Sequence, residues 1–387
     1  MRTIGWRYVF SAAPDSPTRV PRLACQAVRC FGQHGLASNP WHPAGATLNT
    51  HGWGLGGMLA ALVMLTIAAG ARAAPPDTVR PDTRVTPELE RAVQRGLEYL
   101  TRTQKPDGTW PDQYGQVSGV VGLAMMTFLA HGEVPDDSKY GRVIRRAVNY
   151  MVTTQSENGL LAGRSESSPM YSHGFATLAL AEAYGVIDDR RVGPALKKAV
   201  GLIVRSQNRL GGWRYSVDAT DADTTVSGAQ MLALRAAANA GMEVPVETIQ
   251  RGVRYYMNCF CPGGGFGYTG TGSPSAARAG IGLLVLSLSG QYRSPEAKAT
   301  AEYLFAGGYQ DRSYLFYSCY YCSQAMFQAG GKYWQLWNET MTPAIIAMQQ
   351  PDGSWSGSDE SSGTICGTAM ALLAIEVNYN LLPIYQR

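Results

Sequence analysis

Gln104-Lys-Pro-Asp-Gly-Thr-Trp110 returns near the opposite end of the chain as Gln349-Gln-Pro-Asp-Gly-Ser-Trp355, identical at five of seven positions. Such a box says that the chain is built from copies of one unit, so locating the other copies decides the fold. They are Gln155-Ser-Glu-Asn-Gly159 and Gln207-Asn-Arg-Leu-Gly-Gly212-Trp213, with a weaker one at Cys259-Phe-Cys-Pro-Gly-Gly-Gly265-Phe266. The first four recur roughly every 50 residues, and the longer interval before Trp355 has room for an eroded copy around Gly307-Gly308. That makes six units.

The flanks of the boxes repeat too. Before them, Arg95-Gly-Leu-Glu-Tyr99-Leu100, Arg146-Ala-Val-Asn-Tyr150-Met151 and Arg251-Gly-Val-Arg-Tyr255-Tyr256 carry apolar residues at helical spacing with charges between. After them come small, apolar runs that end in Gly or Pro, such as Thr224–Gly241 and Ala276–Gly290. Each unit therefore predicts an outer amphipathic helix, a Gly/Trp loop and an inner helix apolar nearly all round. The expected fold is all-α: an α/α toroid of six helical hairpins, about twelve helices. The run Tyr333-Trp-Gln-Leu-Trp337-Asn reads either as an extension of the fifth inner helix or as a loop.

Of 387 residues, 45% are hydrophobic and 16% charged, a globular composition with length for a large core. Residues 1–50 lack periodicity. An apolar run at 58–69, followed by Ala71-Arg-Ala73, predicts a signal peptide within a leader at 1–74, although a basic n-region is missing. The run is too short to span a membrane, which leaves membrane association open but predicts no spanning helix in the mature chain. A Pro-rich linker at 75–87 leads into a toroid at 88–387. The formal charge of +4 comes from the leader; without it, 27 basic residues face 28 acidic ones, which excludes a nucleic-acid-binding footprint. The protein is expected to be exported.

The pattern Arg95-Gly-x-x-Tyr-Leu-x-x-x-Gln-x-x-x-Gly-x-Trp110 resembles the QW repeat of squalene and oxidosqualene cyclases, whose terpenoid-cyclase toroid is shared with the β subunits of protein prenyltransferases. The chain looks most like the secreted, single-toroid members of the prenyltransferase/squalene oxidase repeat family from planctomycete-type bacteria. In that family the box residues Gln104, Trp110, Trp213, Gln349 and Trp355 are structural, with the glutamines expected to cap neighbouring helix ends.

The same resemblance picks out Gly211-Gly-Trp213 followed by Asp221-Ala-Asp223-Thr-Thr225. Squalene-hopene cyclases carry a similar Asp-x-Asp-Asp-Thr-Ala motif whose middle Asp protonates an alkene; Asp221 and Asp223 match its first and middle positions, while Thr224 replaces the third Asp. This implies Asp223 as a general acid. The competing reading is a helix cap, since Asp223 precedes an inner helix whose free N–H groups favour a carboxylate and lower its pKa.

Zinc, which prenyltransferases bind through Asp, Cys and His, is not expected. Cys319, Cys322 and Cys366 open inner helices, but no His accompanies them and Tyr317 stands at the Asp position. No cofactor is predicted. In an exported chain, Cys259 or Cys261 facing Cys319 or Cys322 suits a disulfide. Tyr171, His173, Arg278, Tyr320, Tyr321 and Gln324 fall near inner-helix starts, where they can line a central cavity for an isoprenoid, peptide or glycan-like ligand, with a hydrophobic, isoprenoid-like molecule or a protein partner as the expected occupant; the competing reading is that the aromatics simply fill the hub. No nucleotide loop, serine elbow, His-Glu-x-x-His or thioester box occurs. The preferred function is a ligand- or partner-binding toroid, ahead of a terpene cyclase using Asp223 and a prenyltransferase-like zinc protein.

Overall fold

The computed structural model describes residues 83–111, 117–135, 138–163, 166–307, 314–356 and 363–386. The leader, the eroded box beyond Gly307 and most of the linker lie outside them. Twelve α-helices are present among the described residues, and they alternate between two layers. The outer ones are α1 (Pro87–Thr103), α3 (Gly141–Thr154), α5 (Val192–Ser206), α7 (Val246–Cys259), α9 (Pro295–Phe305) and α11 (Gly331–Ala347). The inner ones are α2 (Ser118–Ala130), α4 (Pro169–Tyr184), α6 (Thr224–Asn239), α8 (Ala276–Leu288), α10 (Leu315–Ala329) and α12 (Thr364–Glu376).

Burial follows the sequence pattern. Along α1 the buried positions are Leu89, Ala92, Val93, Gly96, Leu97 and Leu100, a single stripe, whereas every residue of α2 is buried. A stripe packs against one layer only; a helix covered on all sides must stand within a ring. Accordingly α2 packs on α4, α4 on α6, α6 on α8, α8 on α10, α10 on α12, and α12 back on α2. The ring is closed, and the architecture is an α/α toroid. The stretch at Tyr333–Asn338 belongs to outer helix α11, neither a loop nor part of the fifth inner helix. Gly330 and Gly331, both at positive φ, turn the chain directly from α10 into α11.

The boxes are joints between units. Trp110, Trp213 and Trp355 are buried, and each indole N–H donates to the carbonyl ten residues earlier (Leu100, Ile203 and Ile345, at 2.7–2.8 Å). The box glycine sits at φ +91° in Gly108, and a Cβ there would lie 2.2 Å from the Arg146 carbonyl oxygen of the next outer helix. The same close approach recurs at Gly353, against Arg95. The box glutamines correct the capping expectation. Gln104 Nε2 reaches the Val143 carbonyl at 3.0 Å, Gln155 that of Ala195 at 2.9 Å and Gln207 that of Thr248 at 2.9 Å. Each acceptor lies inside the first turn of the following outer helix, so these glutamines clamp neighbouring units together instead of satisfying free helix ends. In the fourth box Phe260 takes the glutamine's place and packs its ring edge-on to Phe266.

At the carboxyl ends of the inner helices the chain terminus crosses the ring. Leu382, Ile384 and Tyr385 are buried there. Gln328 of α10 donates to the Tyr385 carbonyl at 2.8 Å and Asn239 of α6 to that of Pro383 at 3.4 Å. The central hub thus has an amino-terminal mouth and a carboxyl-terminal floor.

Candidate functional site

The mouth is organised by Asp223. It is the N-cap of α6, and its Oδ1 accepts from the Thr225 and Val226 amides (both 2.8 Å) and from the Thr225 hydroxyl (2.6 Å). Its Oδ2 faces Arg214 Nη1 at 3.4 Å. The side chain is fully buried, and burial pushes its pKa above the ordinary carboxylate value against the pull of those donors. This reverses the sequence expectation of a lowered pKa: desolvation outweighs the cap. Asp221 is largely exposed and lies 3.4 Å from Arg214 Nε, so the two aspartates share one guanidinium.

That guanidinium lies between two rings, 4.7 Å from the centroid of Tyr215 and 5.1 Å from that of Tyr268, a geometry in which the ring faces attract the cation. The Tyr215 and Tyr268 hydroxyls hydrogen-bond each other. Tyr171 stacks on Tyr215 and on Phe175, and its hydroxyl lies 3.2 Å from that of Tyr317. Tyr317 meets Tyr321 edge-on at 5.0 Å, Tyr321 meets Tyr320 at 4.7 Å, and Tyr320 meets Phe175 at 6.2 Å. An aromatic belt therefore runs from the lip at Arg214 into the hub, with contributions from α4, α10 and the third and fourth box loops.

Of the residues expected to line a cavity, Tyr171, Tyr320 and Tyr321 are joined by this belt. Gln324 lies one turn below Tyr320 and donates to its carbonyl at 3.0 Å. His173 is elsewhere: its Nδ1 accepts from the Leu161 amide and its Nε2 donates to the Ala199 carbonyl, both at 3.1 Å. It faces the box of its own unit; in two other units Ser227 and Thr368 make the matching contacts to the Trp213 and Trp355 amides. Burial drives its pKa down to about 4, so the ring is neutral. Arg278 is also diverted, its Nη2 donating to the Ser273 carbonyl at 2.6 Å and its Nε to Phe266 at 3.4 Å, which ties down the fourth box loop.

Sequence reasoning missed Tyr215, Tyr268, Tyr317, Phe175 and Arg214 as members of the site. A signal existed for two of them, because Tyr215 and Tyr268 each stand two residues after a box aromatic, Trp213 and Phe266.

The disulfide expectation is corrected. Among the described residues, Cys259, Cys261, Cys319 and Cys322 are not paired in disulfides. The Cys322 sulfur donates to the Ala276 carbonyl within the α8–α10 interface, whereas that of Cys261 turns to the Gly272 carbonyl of the fourth box loop. No group of three or more His, Cys, Asp or Glu side chains suited to a metal occurs among the described residues, and none of their helices is long and apolar enough to cross a membrane.

Known proteins resemble this chain in part of its sequence and in its fold. Residues 120–278, spanning α2 to the start of α8, match the squalene-hopene cyclase C-terminal domain. A drimenyl diphosphate synthase from Streptomyces showdoensis is 29% identical over 138 residues, 34% of this chain. The chain spans about a quarter of that relative's length, 25%. Among solved structures, the type II terpene cyclase MstE from Scytonema superposes with a TM-score of 0.53 at 15% identity, covering 76% of this chain and 99% of that one. An alpha-1,6-mannanase from Salegentibacter sp. HEL1_6 reaches 0.59 at 8% identity, with the same coverage. The chain is thus squalene-cyclase-like in sequence across its central repeats and terpene-cyclase-like in fold. The mannanase shows how widely this toroid is shared.

Proposed function

We propose that this chain is an exported toroid that binds a hydrophobic, isoprenoid-like molecule in its hub, entering at the amino-terminal mouth. The observation that supports this reading is the aromatic belt from Tyr215 through Tyr171 and Tyr317 to Tyr320 and Tyr321. Ring faces offer apolar area and attract positive charge, a lining suited to an isoprenoid chain or to the cations formed from one. The sequence likeness to a drimenyl diphosphate synthase and a squalene-hopene cyclase domain supports the same ligand class. Arg214 at the lip would meet an acidic head group. Export rests on the apolar run at 58–69 within the leader at 1–74, and a protein partner at the mouth is the alternative occupant.

A second reading, a class II cyclase with Asp223 as the acid, is favoured by one observation: burial raises that carboxyl's pKa, as a proton donor requires. Against it, every group hydrogen-bonded to the Asp223 oxygens is itself a donor, an arrangement made for a carboxylate. Incubating the wild type and Asp223→Asn with squalene and shorter prenyl substrates decides between them. Cyclised product from the wild type alone would establish the cyclase; saturable binding without product, in both proteins, is the outcome expected here.

A further inference from the structure

Two buried carboxyls without hydrogen-bond partners among the described residues lie toward the floor, Glu376 of α12 and Glu182 of α4, and Glu182 is the one that acts on Tyr320. It is 5% exposed, and among the described residues neither of its carboxyl oxygens has a hydrogen-bond partner. It stands nine residues after His173 on α4, about two and a half helical turns, so the two project in opposite directions. His173 points out to the box; Glu182 points into the hub, on the face that carries Tyr171 and Phe175. Tyr320 and the floor residue Tyr385 lie within its electrostatic reach. The floor also brings the Ile384 amide near Glu182 without a well-formed hydrogen bond, and the Tyr320 hydroxyl is equally unpartnered.

Leaving such groups unmet costs about 1–3 kcal/mol each, a cost a ligand could offset. Among the described residues, no basic side chain acts on Glu182. Burial pushes its pKa up to about 8, and its place in the last turn of α4, where the helix presents free carbonyls, acts in the same direction. At neutral pH the group is a carboxylic acid, one donor and several acceptors among buried neighbours. An alcohol matches that inventory, whereas an ammonium ion would need a carboxylate and a hydrocarbon would use none of it.

We propose that the closed end of the hub is a hydroxyl-binding site, in which Glu182, with Tyr320 beside it, receives the alcohol end of an apolar ligand whose body runs back along the tyrosine belt. This rests on the reading of the hub as an isoprenoid-binding channel and adds to it a polarity and a direction: hydroxyl at the floor, hydrocarbon toward the mouth.

The test compares farnesol with its hydroxyl-free counterpart farnesene, binding each to the wild type, Glu182→Gln and Glu182→Met. At pH 7 the wild type should favour farnesol by about tenfold, the worth of a hydrogen bond of 1.4 kcal/mol. Glu182→Met should erase that preference without weakening farnesene, and Glu182→Gln should keep part of it. Equal binding of both ligands by the wild type, or a preference that survives Glu182→Met, overturns the hydroxyl site and leaves the channel standing. Failure to bind either ligand overturns both.

Discussion

Gln349, in the last box of the chain, donates its side-chain amide to the main-chain carbonyl of Ala92 in the first helix, 2.9 Å away and 257 residues earlier. Gln104, Gln155 and Gln207 make the same bond between consecutive units, so closure repeats the joint that links every other pair of clamped neighbours. Gln349 also accepts a hydrogen bond from Arg95.

Replacing Gln349 by Leu should therefore lower stability by about 1–3 kcal/mol, because the glutamine's two carbonyl acceptors lose a donor and Arg95 an acceptor. Urea denaturation followed by circular dichroism measures this, and a loss below about 0.3 kcal/mol would refute the clamp.

The box tryptophans separate packing from hydrogen bonding. Trp355→Phe removes the indole donor to Ile345 while keeping most of the buried ring, and should cost about 1–2 kcal/mol. Trp355→Ala adds the cavity and should cost about 3–5 kcal/mol. No loss for Trp355→Phe in thermal denaturation would mean that the indole N–H contributes nothing, and equal losses for the two variants that the buried ring adds nothing beyond it.

Gly108→Ala should destabilise by more than the usual cost of a left-handed alanine, about 1–2 kcal/mol, because its Cβ would also strike the Arg146 carbonyl. Gly241 has positive φ but nothing within 4 Å of a built Cβ, so Gly241→Ala there should cost only the conformational part. Paired melts check the difference.

His173 sets an acid limit. Its folded pKa, about 4, lies below the ordinary value of 6.5, so its contribution is complete above pH 6.5 and is lost as pH falls through that range toward 4. Glu182 has the opposite sign. Its raised folded pKa favours the fold below pH 4.5, and that advantage is lost as pH rises toward 8. In stability measured from pH 4 to 9, Glu182→Met should reduce the alkaline decline, leaving the share of the buried Glu376, whose pKa burial also raises, and should leave the acid limb in place.

The thiols should differ in reactivity. Burial pushes the Cys319 pKa up to about 12 and that of Cys322 well above its ordinary value, whereas Cys366 is only half-buried. A maleimide should label Cys366 first in the folded protein, and reductant should leave the melting temperature unchanged. Reductant-dependent melting would show that the cysteines pair.

The repeat period was enough to give the toroid from sequence, because the box glycines and tryptophans answer to local geometry repeated in each unit. The order of layers followed from burial pattern, since Val93 and Leu97 share one stripe of α1 while α2 has no polar stripe at all. Asp223 was legible as a cap from its place before Thr224. Its raised pKa was not, because that depends on what covers it in space. His173 was misplaced for a related reason: an inner-helix start has an outward and an inward face, and one residue's step decides between them. Tyr171 falls inward and His173 outward. The chain crossing at Tyr385, which floors the hub and brings Glu182 its neighbours, is a long-range event with no periodic trace in the sequence.

Ring closure also constrains how such a chain can change. In an open stack of repeats, a unit can be gained or lost at little cost, because the new end needs only a polar cap. Here α12 packs on α2 and Gln349 binds Ala92, so no unit is terminal. Deleting one would part the seam or force every remaining interhelical angle to change. The loop positions between the fixed box residues, such as Tyr215 and Tyr268, can vary while the number of units stays at six, which makes the mouth the place where a lineage of such rings can diverge in what it binds.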